Sequence, residues 1–266
     1  MKKSFLLITC ILLAFSVTII SWKAENIKNI HRRTPIKTAK LSAKELFTQY
    51  LDEIYNTAQL HAAGLDFDVF EKAATGYFNL KSQNQVPQTS SVITIVDLGK
   101  SSTTKRMWIV DLIDKELVLN TWVAHGNGSG DEMAQYFSNQ SESHASSLGF
   151  YITDGIYHGK HGRSLKLNGV DEGFNDNARA RGIVVHGAKY VSQKTIDRMG
   201  RLGRSEGCPA VSTKIVEKVI ATIKNRSVLF INGNDYSYTS KYLDEEAAAS
   251  YVYPNGSGGS YINASL

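Results

Sequence analysis

The apolar positions change period along the chain. In "LSAKELFTQYLDEIYNTAQLHAAG", residues 41–64, Leu46, Tyr50, Ile54 and Leu60 recur at helical spacing. Ser42 with Glu45 three residues on is a capping box, and Gly64 is a terminator. "DFDVFEKAATGYFNL" follows with Phe67, Phe70 and Ala74 on one face, so the sequence predicts a helical hairpin over 41–85. The polar run "KSQNQVPQTSS" then breaks the pattern. Beyond it the period becomes that of strands: "SVITIVDLG" (91–99), "RMWIVDLID" (106–114), "ELVLNTWVAHG" (116–126), "LGFYIT" (148–153), "SLKLNG" (164–169), "GIVVHGA" (182–188) and "SVLFING" (227–233). "STKIVEKVIATIKN" (212–225) reads as an amphipathic helix capped by Ser212. Short β-rich segments separated by glycine turns give a mainly β fold with α-helices, a β-sandwich or open barrel over 86–242 preceded by the N-terminal helical hairpin. Residues 243–266 are small and polar, and are expected to form a flexible tail.

The N-terminus adds a destination. Lys2 and Lys3 precede an uncharged run of 18 residues, Phe5 to Trp22, the layout of a signal peptide or an N-terminal membrane anchor over 1–22. Residues 23–40 are polar and basic without periodicity, a tether. The rest of the chain is therefore expected outside the cytoplasm, in the periplasm or cell envelope. The net charge is +5 and uneven. Between Lys160 and Arg204 ten Lys and Arg face four acids, a surplus of six, which suits an anionic ligand or a solvated basic face. The bases lack interleaved aromatic residues, which argues against nucleic acid and leaves a carboxylate-bearing substrate as the better partner.

Export also changes the meaning of the thiols. The chain has two cysteines, and Cys10 lies within the leader, so Cys208 in "GRSEGCPAVS" stands alone in an oxidising setting. It sits between Gly207 and Pro209, near Arg201 and Arg204, rather than in an apolar run. His186 ends the run Ile183–Val185 and precedes Gly187, a place expected at a sheet rim facing a cleft. The two supply a thiol and an imidazole, the parts of a nucleophile pair; a free thiol has a pKa of roughly 8.5, which nearby cations lower. Arg204 and Arg201 are expected to favour the thiolate. Pro209 has no N–H, so a backbone oxyanion site would use Cys208, Gly207 or Glu206. The plainer alternative is a packing thiol in a turn beside a hydrogen-bonded core histidine.

His-Gly followed some twenty residues on by Ser-x-Gly-Cys resembles the signature of the YkuD-like L,D-transpeptidase catalytic domain. The stretches "VAHGNGSG", "YFSN", "SSLGFYIT", "YHGKHGRSLKLNG", "GFNDNARARGIVVHGAKYVS" and "GRSEGCPAVS" are similar to those of its murein L,D-transpeptidase subgroup, in order, over about 91–234. The resemblance implies a β-rich fold, a Cys208 nucleophile, a His186 base oriented by a backbone carbonyl near Gly187, and peptidoglycan stem peptides as substrates. Glu206 stands where the broader family has His, and Ala210 where it has Arg. Another base would then hold the substrate carboxylate, with Arg204, Arg201 and Arg181 as candidates.

The remaining candidates are supporting ones. Ser205 braces the loop or is an ordinary turn residue, His125 and His161 line the cleft or hold its loops, and Tyr151 and Tyr157 are wall or packing residues. His158 and His161 have ligand spacing, but the surrounding glycines disfavour the helix a zinc pair would need. The expected activity needs no metal and no cofactor. An exported cysteine acyltransferase is the leading reading, with a carboxypeptidase or amide hydrolase on the same scaffold as the alternative and a non-catalytic wall-binding module as the third.

Overall fold

The computed structural model describes residues 41–254. The export segment, Cys10, the tether and the tail beyond residue 254 lie outside the described residues. Among the described residues no helix is long and apolar enough to cross a membrane.

Helix α1 (Ala43–Thr57) starts at the expected capping box: the Ser42 hydroxyl accepts the Glu45 N–H at 3.2 Å, and the Glu45 carboxylate accepts the Ser42 N–H at 2.8 Å. It ends seven residues before Gly64, because Gln59 adopts φ 53° and the chain folds back to bury Leu60. Its buried stripe is Phe47, Leu51, Ile54 and Tyr55, with Leu46 and Tyr50 on the flanks. Helix α2 (Phe67–Ser82) is buried nearly all round in its second half, more than its predicted single face.

Eight strands form one sheet in the order β3-β2-β1-β8-β4-β5-β6-β7. They are β1 (Val92–Asp97), β2 (Met107–Asp111), β3 (Glu116–Thr121), β4 (Gly149–Gly159), β5 (Gly162–Gly169), β6 (Val184–Ala188), β7 (Ala210–Ser212) and β8 (Val228–Asn232). The β1–β8 and β6–β7 pairs are parallel and the rest antiparallel. "VLFI" is apolar at every position, and "VITIV" at every position but the buried Thr94, because both faces are covered. Ile93, Ile95, Trp108, Phe150 and Phe230 pack against α1 and α2, while Val96, Ile109, Tyr151, Leu229 and Ile231 face a second core with α4 (Val216–Ile223). The two sheet edges come together: Ala124, beyond the end of β3, exchanges hydrogen bonds with Ala210 in β7 at 2.8 and 3.3 Å, and Gly126 bridges Ser205. These bridges join the edges of a single sheet, where the sequence left a β-sandwich and an open barrel as alternatives.

Two local expectations change and two further features appear. Ser212 ends β7 and does not cap α4, which begins after Ile215. A short helix α3 (Gln193–Met199), capped by the Ser192 hydroxyl, joins β6 to the cysteine turn. The expected tail is ordered through α5 (Glu245–Val252), which buries Ala248, Ala249 and Val252 against α1 and α2. Asn79 in α2 fixes its approach by donating to the Tyr242 and Asp244 carbonyls, both at 2.8 Å. The hairpin is also no separate body: Trp108 in β2 donates through Nε1 to the Ala63 carbonyl at 2.9 Å, and helices and sheet share one core.

Candidate active site

Strand β6 sets the site. Its alternation puts Val184 and His186 on one side, and both open into a cavity of about 320 Å³. His186 lies in mid-strand rather than at its end, paired with Ser164 in β5 and with Ala210 in β7. Gly187 is therefore not a turn residue. A Cβ there would lie 3.0 Å from Val216, so glycine lets α4 approach the strand closely. Nδ1 of His186 is 3.1 Å from the Gly187 carbonyl. A carbonyl only accepts, which places the proton on Nδ1 and leaves Nε2 as the basic atom.

Cys208 stands just before β7 and is half-buried in the same cavity. Its Sγ accepts the Val184 N–H at 3.4 Å. The turn before it requires glycine: Gly207 has φ +110°, and a Cβ there would meet the Ala145 carbonyl at 2.8 Å. Ser205 braces the turn, accepting the Gly207 N–H at 3.2 Å and donating to the Cys208 carbonyl at 2.6 Å. The Gly207 N–H is thereby engaged. Those of Glu206 and Cys208 have no acceptor among the described residues, which leaves them as the turn's available donors.

The electrostatics give a neutral pair at rest. Burial pushes the Cys208 thiol up, against the Val184 N–H, Arg181 and Lys160, which pull it down. Burial likewise lowers His186, against the pull of the Gly187 carbonyl, so the imidazole is unprotonated and ready to accept. Arg204 lines the cavity and Arg201 does not, and neither is free to favour the thiolate as expected. Both turn to Asp131, at 2.8 Å from Arg204 Nη1 and 3.7 Å from Arg201 Nε, and Arg204 also donates to the Gly130 carbonyl at 2.9 Å.

The other candidates separate into two groups. His161, Tyr157, Arg181 and Arg204 line the cavity with Ser205. His161 stacks on His186, with ring centroids 4.1 Å apart. Arg181 holds the 138–147 loop through Ser138, Ser143, Ala145 and Ser147. Arg201, His125 and Tyr151 are not at the cavity. Tyr151 is buried and donates to the Ser147 carbonyl at 2.8 Å, and His125 is buried against Arg106, Nη2 to Nδ1 2.7 Å. His158 and His161 flank a hairpin tip rather than share a helix face. Ala210 is buried in β7 and cannot reach a ligand. Sequence reasoning missed Lys160, Tyr190 and Glu206 as lining residues; the "GKHG" at 159–162, a two-residue hairpin loop between glycines, was the signal for the first. A larger cleft of about 540 Å³ near the start of α2 and the ends of β1 and β8 is lined by neither cysteine nor histidine; the thiol and the imidazole meet only in the smaller one.

The profile of the L,D-transpeptidase catalytic domain matches residues 61–232, beginning within the helical hairpin. Among curated proteins no sequence matches. Similar solved structures include an L,D-transpeptidase from Mycobacterium smegmatis, 10% identical over 54% of this chain and 59% of that one, TM-score 0.34. Another is an L,D-transpeptidase from Stackebrandtia nassauensis, 16% identical over 62% and 67%, TM-score 0.34. A third, from Xylanimonas cellulosilytica, is 15% identical over 61% and 79%, TM-score 0.30. The chain thus spans less than two thirds of the first of these. With the profile covering well over half its length, the chain belongs to the L,D-transpeptidase catalytic-domain family.

Proposed function

We propose that the chain is an exported cysteine acyltransferase that exchanges amide bonds in peptidoglycan stem peptides. The observation that carries this reading is the opening of Cys208 and His186 into one cavity, with the imidazole's Nδ1–H held by the Gly187 carbonyl. Nε2 of His186 takes the thiol proton as Cys208 Sγ attacks the carbonyl carbon of the donor amide. The oxyanion is met by the Cys208 N–H. The C–N bond then breaks, the leaving amine receives the proton from His186, and a thioester remains on Cys208. An acceptor amine attacks the thioester, gives its proton to His186, and the restored thiol departs as the new amide forms. Water in place of the amine gives a carboxylic acid and hydrolysis instead. The basic start and the uncharged run of residues 5–22 support delivery to the cell envelope, where such substrates occur.

Incubation with purified muropeptides, followed by mass analysis of protein and products, tests the reading. An adduct on Cys208 that disappears in Cys208→Ala, with crosslinked or exchanged peptides as products, is expected. Shortened peptides alone would make it a hydrolase, and no adduct would refute the acyl-enzyme.

A further inference from the structure

Three cations line the cavity beside Cys208: Lys160, Arg181 and Arg204. Two of them are engaged by the protein itself. Both Nη atoms of Arg181 donate to the 138–147 loop, to the Ser138 and Ala145 carbonyls at 2.7 Å and to the Ser147 and Ser143 hydroxyls at 2.9 and 3.2 Å. Arg204 is neutralised by Asp131 at 2.8 Å. The single carboxylate at the cavity, Glu206, is likewise paired, with His144 and with Asn127. Lys160 differs. It sits at the tip of the β4–β5 hairpin, next to His161, and has no carboxylate or carbonyl partner among the described residues.

We propose that Lys160 binds a free carboxylate of the peptide substrate and thereby sets specificity, a role that rests on the acyltransferase reading above. Arg181 is held by neutral groups and Arg204 by a carboxylate, so Lys160 is the cation at the cavity with no protein partner among the described residues, and an ammonium on a flexible stem meets a carboxylate as a point charge without demanding a fixed plane. The group that satisfies it is anionic, and the amide-cleaving site beside it takes peptides, so the ligand is a peptide bearing an unblocked carboxylate near the scissile bond. The same cation disfavours a peptide whose carboxylate has been amidated, since an ammonium gains less from a neutral carbonyl than from a charge. Exposed ion pairs are weak, but a substrate lying in the cavity would shield this one from water.

The test uses the full chain and two stem tetrapeptides identical except for a free carboxylate or a carboxamide beside the scissile amide, with acylation followed by mass. Wild type is expected to prefer the carboxylate peptide. Lys160→Met should raise KM for that peptide about ten-fold, any change transmitted through the charge on Cys208 and His186 falling equally on both peptides, so that the preference for the carboxylate is lost; Lys160→Arg should restore it. Equal effects on both peptides, or none, would overturn the role of Lys160 while acylation itself stands. Failure of wild type to acylate with either peptide would instead remove the function, and the assignment of Lys160 with it.

Discussion

His161 lies on His186 with ring centroids 4.1 Å apart and planes 20° from parallel. The two imidazoles come from different elements, one from the β4–β5 hairpin tip and one from β6. Burial lowers both, and each is lowered further by a cationic neighbour: Lys160 acts on both, and a charged His161 acts on His186. Two stacked rings in one cavity do not readily hold two protons. The stack therefore protects the neutral form of His186.

Replacing His161 by Phe keeps a flat ring but removes one proton site. In the proposed reaction His186 must be neutral to accept the Cys208 proton, so the acid limb of acylation follows its pKa. Without a second imidazolium that pKa rises, and activity should begin to fall at a higher pH than in wild type. Lys160, Arg181, Arg204, Glu206, Tyr157, Tyr190 and Cys208 also face this cavity and are unchanged by the substitution. Acylation rates of wild type and His161→Phe between pH 4.5 and 8 measure the shift; superimposable profiles would mean the rings touch without electrical coupling.

Gly207 controls the placement of the sulfur. Its φ of +110° is costly for any residue with a Cβ, and the added atom would press on the Ala145 carbonyl at 2.8 Å. Gly207→Ala is expected to cost roughly 1–3 kcal/mol of stability. Because Ser205 ties both Gly207 and Cys208, the strain should move the nucleophile and cut acylation by about a hundred-fold. Urea unfolding and the rate of adduct formation check the two effects separately. Full acylation in a destabilised protein would show that the turn bends elsewhere.

Much of this was readable from the sequence, and the failures share a physical cause. β-branched runs with both faces covered identify themselves, as does a capping box whose two hydrogen bonds depend only on residues three apart. The Cys208 turn was visible because glycine and proline have local meanings. What escaped depends on distant partners. Strand β7 is three residues long and exists because Ala210 pairs with both His186 and Ala124. The alanines of α5 read as a tail until α1 and α2 cover them. His125 and His161 are alike in sequence, and Arg106 under one and His186 under the other separate them. Arg201 and Arg204 stand near Cys208 in sequence, but only Arg204 reaches the cavity, and both are met by Asp131, which lies 70 or more residues away along the chain.

Glu206, where the broader family carries His, makes an exposed pair with His144 and accepts Asn127 Nδ2 at 3.3 Å. Pairs so open to water contribute little. Glu206→His should fold with a Tm within about 2 °C of wild type, as read by calorimetry. A drop beyond about 5 °C would mean that the contact holds the 127–144 loop onto the cysteine turn.

Arg106 is fully buried, and no carboxylate pairs with it among the described residues. Its guanidinium donates to the Val123 carbonyl at 3.1 Å, the Lys100 carbonyl at 2.7 Å and His125 Nδ1 at 2.7 Å. Arginine only donates, so His125 must carry its proton on Nε2, facing the Gly130 carbonyl at 3.3 Å. Burial, then the charge of Arg106, push His125 down to about 4. An unfolded chain protonates its histidines near 6.5. Between those values the unfolded state binds a proton that the folded state refuses, so stability is full above about pH 6.5 and declines as the pH falls toward 4. The decline reaches about 3 kcal/mol at its limit. His125→Gln keeps an oxygen for Arg106 and removes the titration. It should be less stable than wild type at pH 7.5, and the gap should narrow by pH 4.5 in urea unfolding at both values. Because the His125 carbonyl also accepts the Ser205 N–H at 2.9 Å, the same acid step should loosen the cysteine turn in wild type. Parallel stability curves for the two proteins would place the acid sensitivity elsewhere.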